Sequence, residues 1–247
     1  MSGFSDHFSG MARAYQSFRP HYSPELFQLL ADLAPSRERA WDCGAGGGQA
    51  ARGLFDHFDQ VIASDASYAQ ILTCRNPGLD RLCCLAEVVP LKDHCVDLVT
   101  VAQALHWFDR DRFYAEVRRI LRPGGVIAVW TYQLLSISPE IDPLLRRLHT
   151  ETLGGDWPPE RAMVEQGYAN LDFPFSELSL AAPSMWANWD LQAVMGYLST
   201  WSAVSRYRLR VGQDPLPALE RELSKRWPSN AEKLPVTWQL AMRVGRV

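Results

Sequence analysis

Lysine is nearly missing from this 247-residue sequence, which carries it only at positions 92, 225 and 233. Arginine supplies almost all of the other positive charge, and the formal net charge is −3 at pH 7. Because non-specific nucleic-acid binding depends on cationic side chains that neutralise phosphates, this balance argues against a nucleic-acid partner. Long apolar runs are missing too, since none approaches the roughly 20 residues that span a bilayer. We therefore expect no nucleic-acid partner and no membrane insertion.

Cysteine is also scarce, and its pattern suggests neither disulfides nor a metal site. The sequence has five cysteines, an odd number, and no secretory leader, which together indicate reduced thiols and a cytoplasmic protein. Neither paired Cys-x-x-Cys motifs nor a His-Glu-x-x-His motif occurs, so the sequence predicts no bound metal.

Short apolar runs alternate with helical patterns in the first half of the chain, which is typical of βαβ units and a parallel sheet. Pro24 is a suitable first residue for the first of the helices. The predicted helices are Glu25–Leu33, Gln49–Phe58 and Arg112–Leu121. The predicted strands are Ala40–Cys43, Val61–Ser64, Leu82–Ala86, Val96–Val101 and Val126–Trp130.

The second half of the chain differs from the first in composition. Residues 133–234 are rich in tryptophan, proline and arginine, and we expect part of this region to cap the open end of the sheet. Arginines at 206, 208 and 210 alternate as on a solvated strand or loop, although they could also hold an anionic substrate. Helices are predicted at Ile141–Leu153, Leu191–Ser199 and Leu216–Arg226, and strands at Phe175–Ala182 and Pro235–Val244.

The most informative segment is the glycine-rich run at residues 42–48, Asp-Cys-Gly-Ala-Gly-Gly-Gly. It follows a predicted strand and precedes a predicted helix, which is the context that a cofactor-binding loop requires. Glycine permits the tight turn and lets a cofactor lie against bare backbone. Asp65 closes the next strand about 20 residues on, where an acidic side chain reaches both ribose hydroxyls. The pattern indicates a cofactor that contains a nucleoside.

The same residues weigh against a dinucleotide cofactor. A G-x-G-x-x-G pattern that begins at Gly44 would need glycine where Gln49 stands. Asp42, directly before the loop, would repel a pyrophosphate but would suit the cationic amino acid end of a sulfonium cofactor. The combination favours a sulfonium cofactor, and a purely structural turn is the remaining alternative.

Further motifs lie beyond the loop: Ala86-Glu87 before Pro90-Leu91, then Val96-Asp97-Leu98-Val99, then Leu121-Arg122-Pro123-Gly124-Gly125. With the loop and Asp65, they make the sequence similar to the class I S-adenosylmethionine-dependent methyltransferase family. The resemblance implies an α/β fold with a Rossmann-like seven-stranded, mostly parallel sheet in the order 3-2-1-4-5-7-6. Helices cover both faces, and a helical cap is inserted. It also implies one methyltransferase domain over 1–247, with a cofactor-binding core at 4–131.

The resemblance implies S-adenosylmethionine as the cofactor and assigns it a site. The residues at the positions of Ala86 and Glu87 lie beside the adenine in this family. Separately, the spacing puts Tyr15 and Arg19 about one helical turn apart, and we hypothesise that this N-terminal segment folds over the cofactor with both side chains near its carboxylate. The alternative is a surface helix packed by its aromatic side chains. The full set of expected cofactor-binding residues is Tyr15, Arg19, Asp42, Gly44, Ala45, Gly46, Asp65, Ala66, Ala86, Glu87, Gln103 and Ala104.

Within the family, the chain resembles the trans-aconitate methyltransferase-like group of small-molecule methyltransferases. The likeness rests on three stretches, at residues 15–22, 102–108 and 200–204, which read Tyr-x-x-Phe-Arg-Pro-x-Tyr, Ala-Gln-Ala-Leu-His-Trp-Phe and Thr-Trp-Ser-Ala-Val. It implies a small organic methyl acceptor, with an oxygen acceptor such as a carboxylate placed first.

The acceptor should bind outside the carboxyl ends of the strands, as ligands do in open α/β sheets. His106 leaves the fourth strand at that end and is the candidate general base, because an imidazole near its ordinary pKa can accept a proton. The alternative is that His106 only lines the pocket or holds the cofactor. Trp107, Tyr132 and Trp201 are the candidate acceptor-binding residues.

Two other functions remain open at the level of sequence. A nicotinamide-dependent oxidoreductase uses a related sheet, and a binding module could keep the cofactor loop without catalysing a reaction. The expected partners are a small methyl acceptor and, at most, a second copy of the chain, as a monomer or homodimer.

Overall fold

The computed structural model describes residues 18–76 and 78–247, so the predicted contact of Tyr15 with the cofactor lies outside the described residues. The strands are β1 (Arg39–Cys43), β2 (Gln60–Asp65), β3 (Asp80–Cys83), β4 (Val96–Ala102), β5 (Leu121–Ser136), β6 (Ser176–Leu178), β7 (Met185–Trp189) and β8 (Leu234–Arg246). The α-helices are α1 (Pro24–Leu33), α2 (Gln49–Leu54), α3 (Tyr68–Ile71), α4 (Arg110–Ile120), α5 (Asp142–Arg147), α6 (Arg161–Glu165), α7 (Leu191–Ser199), α8 (Ser202–Val211) and α9 (Leu216–Ser224).

All of these strands belong to one mixed sheet. Its order is β3-β2-β1-β4-β5-β8-β6, and β7 pairs with β8 beside this path. Strands β1 to β5 run parallel, whereas β8 is antiparallel to β5, β6 and β7. The predicted Rossmann-like fold is confirmed, and the predicted order holds when β8 stands for the seventh strand. The sheet has one strand more than predicted, β7. It pairs with Leu234–Trp238, the first part of the long strand β8.

Strand β4 lies at the centre and positions the site. Its residues are buried from Val96 to Val101, as expected for a parallel strand with helices over both faces. The chain turns sharply where the strand ends, since Gln103 has a left-handed φ of +59°. A short 3₁₀ turn, Leu105–Trp107, follows and carries His106 at the carboxyl edge of the sheet.

Several predicted boundaries are wrong. The strand predicted at Leu82–Ala86 is found at Asp80–Cys83, because this edge strand pairs only with β2 and their ladder ends where Asp65 meets Cys83. Strand β5 begins at Leu121 and not at Val126; its register with β4 jumps across the Pro-Gly-Gly segment, which forms an irregularity within the strand.

The arginine alternation near the end of the chain was also misleading. These arginines lie on helix α8, not on a strand or loop, and Gly212 closes that helix with a left-handed φ of +73°. Arg208 pairs with Asp214 at 2.8 Å, and Arg210 pairs with the buried Asp156 at 2.6 Å. Arg208 and Arg210 therefore each have an acidic partner within the protein.

Three clusters of apolar side chains hold the structure together. One joins α1 and α2 to one side of the parallel strands, and a second joins α4 to the other side. The third combines side chains from α5, α7, α8 and α9 with those of β5 and β8, among them Trp201 and Trp238. Because β5 and β8 contribute to this third cluster, the later helices pack onto the same sheet that carries the glycine-rich loop.

Within residues 18–76 and 78–247, no helix combines the length and the apolar character needed to cross a membrane. The same residues contain no group of three or more histidine, cysteine, aspartate or glutamate side chains placed to hold a metal ion.

Candidate active site

The glycine-rich loop between β1 and α2 is tightly packed on one side. Gly44 has a φ of +67°, and a Cβ atom there would lie 2.6 Å from the Cβ of Ala104, which is closer than such atoms approach. Gly46 has a φ of +52°, and a Cβ there would have only Gln70 Oε1 within 4 Å, at 3.9 Å. The loop therefore rests against the segment after β4 at Gly44 and presents almost bare main chain at Gly46, as a cofactor loop requires.

Asp65 ties this loop to the end of β2. The Gly46 N–H donates to Asp65 Oδ2 at 2.9 Å, and the Ser67 N–H donates to Asp65 Oδ1 at 2.8 Å. Each oxygen of a carboxylate can accept more than one hydrogen bond, so these contacts leave a ribose contact chemically possible. Asp65 and the next residue, Ala66, are half-buried at the carboxyl edge of the sheet. The residues present fit a nucleoside, although the predicted contacts themselves stay a prediction.

Asp42, directly before the loop, is held by hydrogen bonds within the protein. Its side chain is completely buried beneath the loop, where it accepts hydrogen bonds from the Ala51 N–H and the Thr100 hydroxyl, both at 2.9 Å. Burial raises the pKa of Asp42 to about 7, with the two hydrogen bonds acting in the opposite direction and the nearby Asp65 adding to the rise. Through these hydrogen bonds Asp42 connects β1 to α2 and β4. Its predicted contact with the cofactor stays a prediction.

The predicted adenine-side residues follow β3. Ala86 is buried, and Glu87 is half-buried. Glu87 Oε1 accepts a hydrogen bond from the Asp109 N–H at 2.8 Å, which links this segment to the start of α4.

A second group of predicted residues meets in one pocket. Gln103 enters it from the end of β4 and is fixed there, because the Thr131 hydroxyl donates to its Oε1 at 2.8 Å. The neighbouring residue, Ala104, packs against Gly44, so the pocket and the glycine-rich loop share this segment. The pocket is lined by Arg19, Gln103, His106, Trp107, Tyr132, Trp157, Pro158, Arg161, Val164, Tyr197, Thr200, Trp201 and Ser202.

His106 is present in the pocket as a neutral imidazole. Burial lowers its pKa to about 3, and the positive charge of Arg161 acts in the same direction. Its Nδ1 lies 2.8 Å from the hydroxyl oxygen of Tyr168. A side chain with so low a pKa is a weak base at neutral pH, and the general-base role of His106 stays a prediction.

Two guanidinium groups line the pocket. Arg19 donates from Nη1 to the Tyr132 hydroxyl at 2.7 Å and lies over the Tyr197 ring at 5.4 Å. Arg161 lies over the Trp157 ring at 4.7 Å. No aspartate or glutamate stands among the described lining residues. The pocket wall is therefore cationic and aromatic.

Sequence reasoning found only part of this pocket. It identified Arg19, Gln103, His106, Trp107, Tyr132 and Trp201. It missed the lining residues Trp157, Pro158, Arg161, Val164 and Tyr197, and it missed Tyr168, which contacts His106. No motif marks these positions, and they lie 50 or more residues from His106 along the chain. Their role follows from packing alone.

Comparison with known proteins agrees with the fold and the loop. The family described as "Methyltransferase domain" matches residues 41–129. A methyltransferase-named protein of Dictyostelium discoideum is 32% identical over 227 residues, which are 90% of this chain and 86% of the relative. A solved structure from Anaeromyxobacter dehalogenans, described as a type II methyltransferase, is 45% identical with a TM-score of 0.88, and the match covers 93% of this chain and 98% of that one.

A more distant structure agrees on the fold. The phosphoethanolamine N-methyltransferase 2 of Haemonchus contortus, solved in complex with S-adenosyl-L-methionine, has a TM-score of 0.50 at 15% identity, over 96% of this chain and 57% of that one. The long matches to methyltransferases, and not this distant structure, set aside the nicotinamide-dependent and non-catalytic alternatives and make S-adenosylmethionine the cofactor. Together with the glycine-rich loop and Asp65, the long matches show that the chain belongs to the class I S-adenosylmethionine-dependent methyltransferases.

Proposed function

We propose that this enzyme transfers a methyl group from S-adenosylmethionine to a carboxylate oxygen of a small organic acid. The observation that carries the proposal is the pocket wall, which Arg161 and Arg19 line and to which no described residue contributes an acidic side chain. Glu165 lies beside the pocket, 3.6 Å from Arg161 Nε, and offsets part of one charge. Guanidinium groups bind carboxylates through paired hydrogen bonds, so an anionic acceptor fits this wall.

The state of His106 supports the same class of acceptor. A phenol or an amine usually needs a base that removes a proton before or during methylation, and a histidine with a pKa of about 3 performs that task poorly. A carboxylate is already deprotonated at neutral pH and attacks without a base. The protein then has to align the acceptor and keep water out.

The aromatic walls support a small acceptor. Trp201 and Tyr132 are buried, whereas Trp107 is 37% exposed at the mouth. Aromatic side chains beside a few placed polar groups are typical of small-molecule sites. We propose that Trp107, Tyr132 and Trp201 contact the organic part of the acid.

For the cofactor, we propose a site along the carboxyl edge of β1, β2 and β4. S-Adenosylmethionine supplies a methyl group bonded to a positively charged sulfur. Main chain at Gly44, Ala45 and Gly46 would lie beneath it, and the Asp65 carboxylate would accept hydrogen bonds from the ribose. Ala66, Ala86 and Glu87 would border the adenine, and Arg19, Gln103 and Ala104 would border the amino acid end.

The proposal is tested with a panel of small carboxylic acids, each matched to its amide and alcohol, under a labelled methyl donor. We expect ester products from at least one acid and none from the matched neutral compounds. Arg161→Gln should raise the KM for that acid roughly 10- to 100-fold, because a charge-assisted hydrogen bond is lost, and should leave the KM for the cofactor unchanged.

Arg208→Gln is the matched control. It removes an arginine whose charge is paired with Asp214 at 2.8 Å and which does not line the pocket, so both KM values should stay the same. Methylation of the amides or alcohols in preference to the acids, or an Arg161→Gln enzyme with an unchanged KM for its acid, would contradict the proposal.

A further inference from the structure

Two successive residues with left-handed backbone carry Tyr168 into the core. Gly167 has a φ of +62° and Tyr168 a φ of +61°, an uncommon conformation for a bulky side chain that persists only where neighbouring structure holds it. Strand β8 supplies that support. A Cβ at Gly167 would lie 2.7 Å from the Cβ of Ala241, and Arg243 donates from Nη1 to the Tyr168 carbonyl at 3.1 Å.

The buried hydroxyl that results has a defined environment. Only 1% of Tyr168 is exposed, and its oxygen lies 2.8 Å from His106 Nδ1. Burial raises the pKa of Tyr168, while the backbone N–H groups of His106 and Leu105 approach the phenol oxygen and lower it. Those N–H groups can only donate. Among the residues that the structure describes, His106 Nδ1 is the one hydrogen-bond partner of this hydroxyl that is able to accept, which favours donation from Tyr168 to Nδ1.

This direction decides where the imidazole carries its own hydrogen. A neutral imidazole has one N–H and one acceptor nitrogen, so a ring that accepts at Nδ1 is protonated at Nε2. We propose that Tyr168 is a positioning residue that holds His106 in the Nε2–H tautomer, so that the imidazole donates a hydrogen bond from Nε2 to an oxygen of the methyl acceptor. The identity of that acceptor rests on the proposed function.

The opposite tautomer, with its hydrogen at Nδ1, could not donate a hydrogen bond from Nε2 to the acceptor. With its hydrogen at Nδ1, His106 would direct a lone pair of Nε2 at a carboxylate oxygen, and two acceptors would face each other. The hydrogen bond from Tyr168, a residue 62 positions away in the sequence, disfavours the Nδ1–H tautomer. His106 then orients the acid as a donor, beside the guanidinium groups of the same pocket.

The tautomer is measured directly by ¹⁵N NMR of the full chain, labelled at histidine, bound to S-adenosylhomocysteine at pH 7. The His106 signals are assigned by their loss in His106→Gln. We expect a protonated Nε2 and an unprotonated Nδ1 in the wild-type protein. Tyr168→Phe should give a mixture of tautomers, whereas Tyr114→Phe should leave the signals unchanged. Tyr114 is the matched control, because its buried hydroxyl donates to the Asp172 carbonyl at 3.0 Å instead.

Kinetics add a second readout. Tyr168→Phe should raise the KM for the acceptor by about two- to fivefold, because only the fraction of the enzyme with Nε2–H binds it well, and should leave the KM for the cofactor unchanged. Tyr114→Phe should alter neither value. A hydrogen on Nδ1 in the wild-type protein, which needs no variant to observe, would overturn the proposal, as would a Tyr168→Phe spectrum identical to that of wild type.

The outcomes separate the two proposals. If the wild-type spectrum shows Nε2–H but no carboxylic acid is methylated, the tautomer assignment stands and the acceptor class is wrong. If an acid is methylated while Nδ1 carries the hydrogen, the acceptor class stands and the role of Tyr168 is wrong.

Discussion

Two glycines with similar backbone angles differ in what surrounds them. Gly44 and Gly124 have φ values of +67° and +77°. A Cβ at Gly44 would meet Ala104 at 2.6 Å and Phe108 at 3.1 Å, whereas a Cβ at Gly124 would have nothing within 4 Å. Alanine substitutions at these two positions therefore distinguish two contributions to the free energy of unfolding. One is the strain of a left-handed alanine, which both share, and the other is crowding, which only position 44 has.

Gly44→Ala should destabilise the protein more than Gly124→Ala does. The left-handed conformation costs an alanine roughly 1–2 kcal/mol at either position. Overpacking adds about 1–3 kcal/mol at position 44 alone. We expect thermal unfolding midpoints that fall by several degrees more for Gly44→Ala, at about 2–4 °C per kcal/mol for a chain of this size.

The same variants test the cofactor loop. Calorimetry should show at least a tenfold loss of S-adenosylhomocysteine affinity for Gly44→Ala and none for Gly124→Ala, where tenfold corresponds to about 1.4 kcal/mol. Equal unfolding midpoints, or unchanged affinity in Gly44→Ala, would mean that Ala104 and Phe108 move aside at little cost.

At the scale of elements, helices α1 and α2 approach closely through one glycine. Gly53 lies in α2, and a Cβ there would lie 2.0 Å from the ring of Phe27 in α1. Phe27 is itself buried, so its ring has little room to withdraw. The glycine is therefore required by packing, although helix propensity alone favours alanine by about 1 kcal/mol.

Gly53→Ala should lower the free energy of unfolding by about 1–3 kcal/mol, since crowding outweighs the propensity gain. Denaturant unfolding of Gly53→Ala, Phe27→Leu and the double variant completes a cycle that isolates the contact. We expect the double variant to be more stable than the sum of the single effects predicts. Additive effects would show that the helices separate freely and would contradict the packing argument.

The elements also show where sequence patterns succeed. Helix α7 begins and ends where it was predicted, at Leu191–Ser199, and α1 differs by one residue, because proline or a capping aspartate marks each start. Strand β4 was found from Val96–Val101, a short run dominated by valine and leucine. Strand β3 was misplaced and β7 was missed, because both depend on the strand with which they pair, β2 in one case and β8 in the other.

At the scale of the whole molecule, Asp42 links stability to pH. Its pKa rises from an ordinary 3.8 to about 7 on folding, chiefly through burial. The folded protein therefore binds a proton more tightly than the unfolded chain, and the stability that this gives is complete below about pH 4 and is lost as the pH rises through 7. The effect is on the order of a few kcal/mol, at about 1.4 kcal/mol for each tenfold difference in proton affinity.

Asp42→Asn should remove this dependence, because the amide is uncharged at every pH. Relative to wild type, the unfolding midpoint of Asp42→Asn should rise between pH 5 and pH 8, as measured by thermal melts in matched buffers. Asp156→Asn is the control: Asp156 is also buried, but its hydrogen bonds with Arg210 hold its pKa below the ordinary value, so its difference from wild type should not grow over that range. A constant difference for Asp42→Asn would show that Asp42 is ionised throughout.

By itself, the sequence determined the parallel sheet, the glycine-rich loop after β1 and the position of Asp65 at the end of β2. Each depends on residues near one another in the chain, where backbone freedom and apolar period act locally. The family resemblance added the cofactor and the order of most strands.

Only the tertiary structure decided that Arg161 and Trp157 join His106 in one pocket, that Tyr168 holds its imidazole, and that Asp42 is buried beneath the loop that it precedes. These facts depend on which distant segments pack together. Burial and charge at a side chain are properties of its neighbours in space, and no local pattern encodes them.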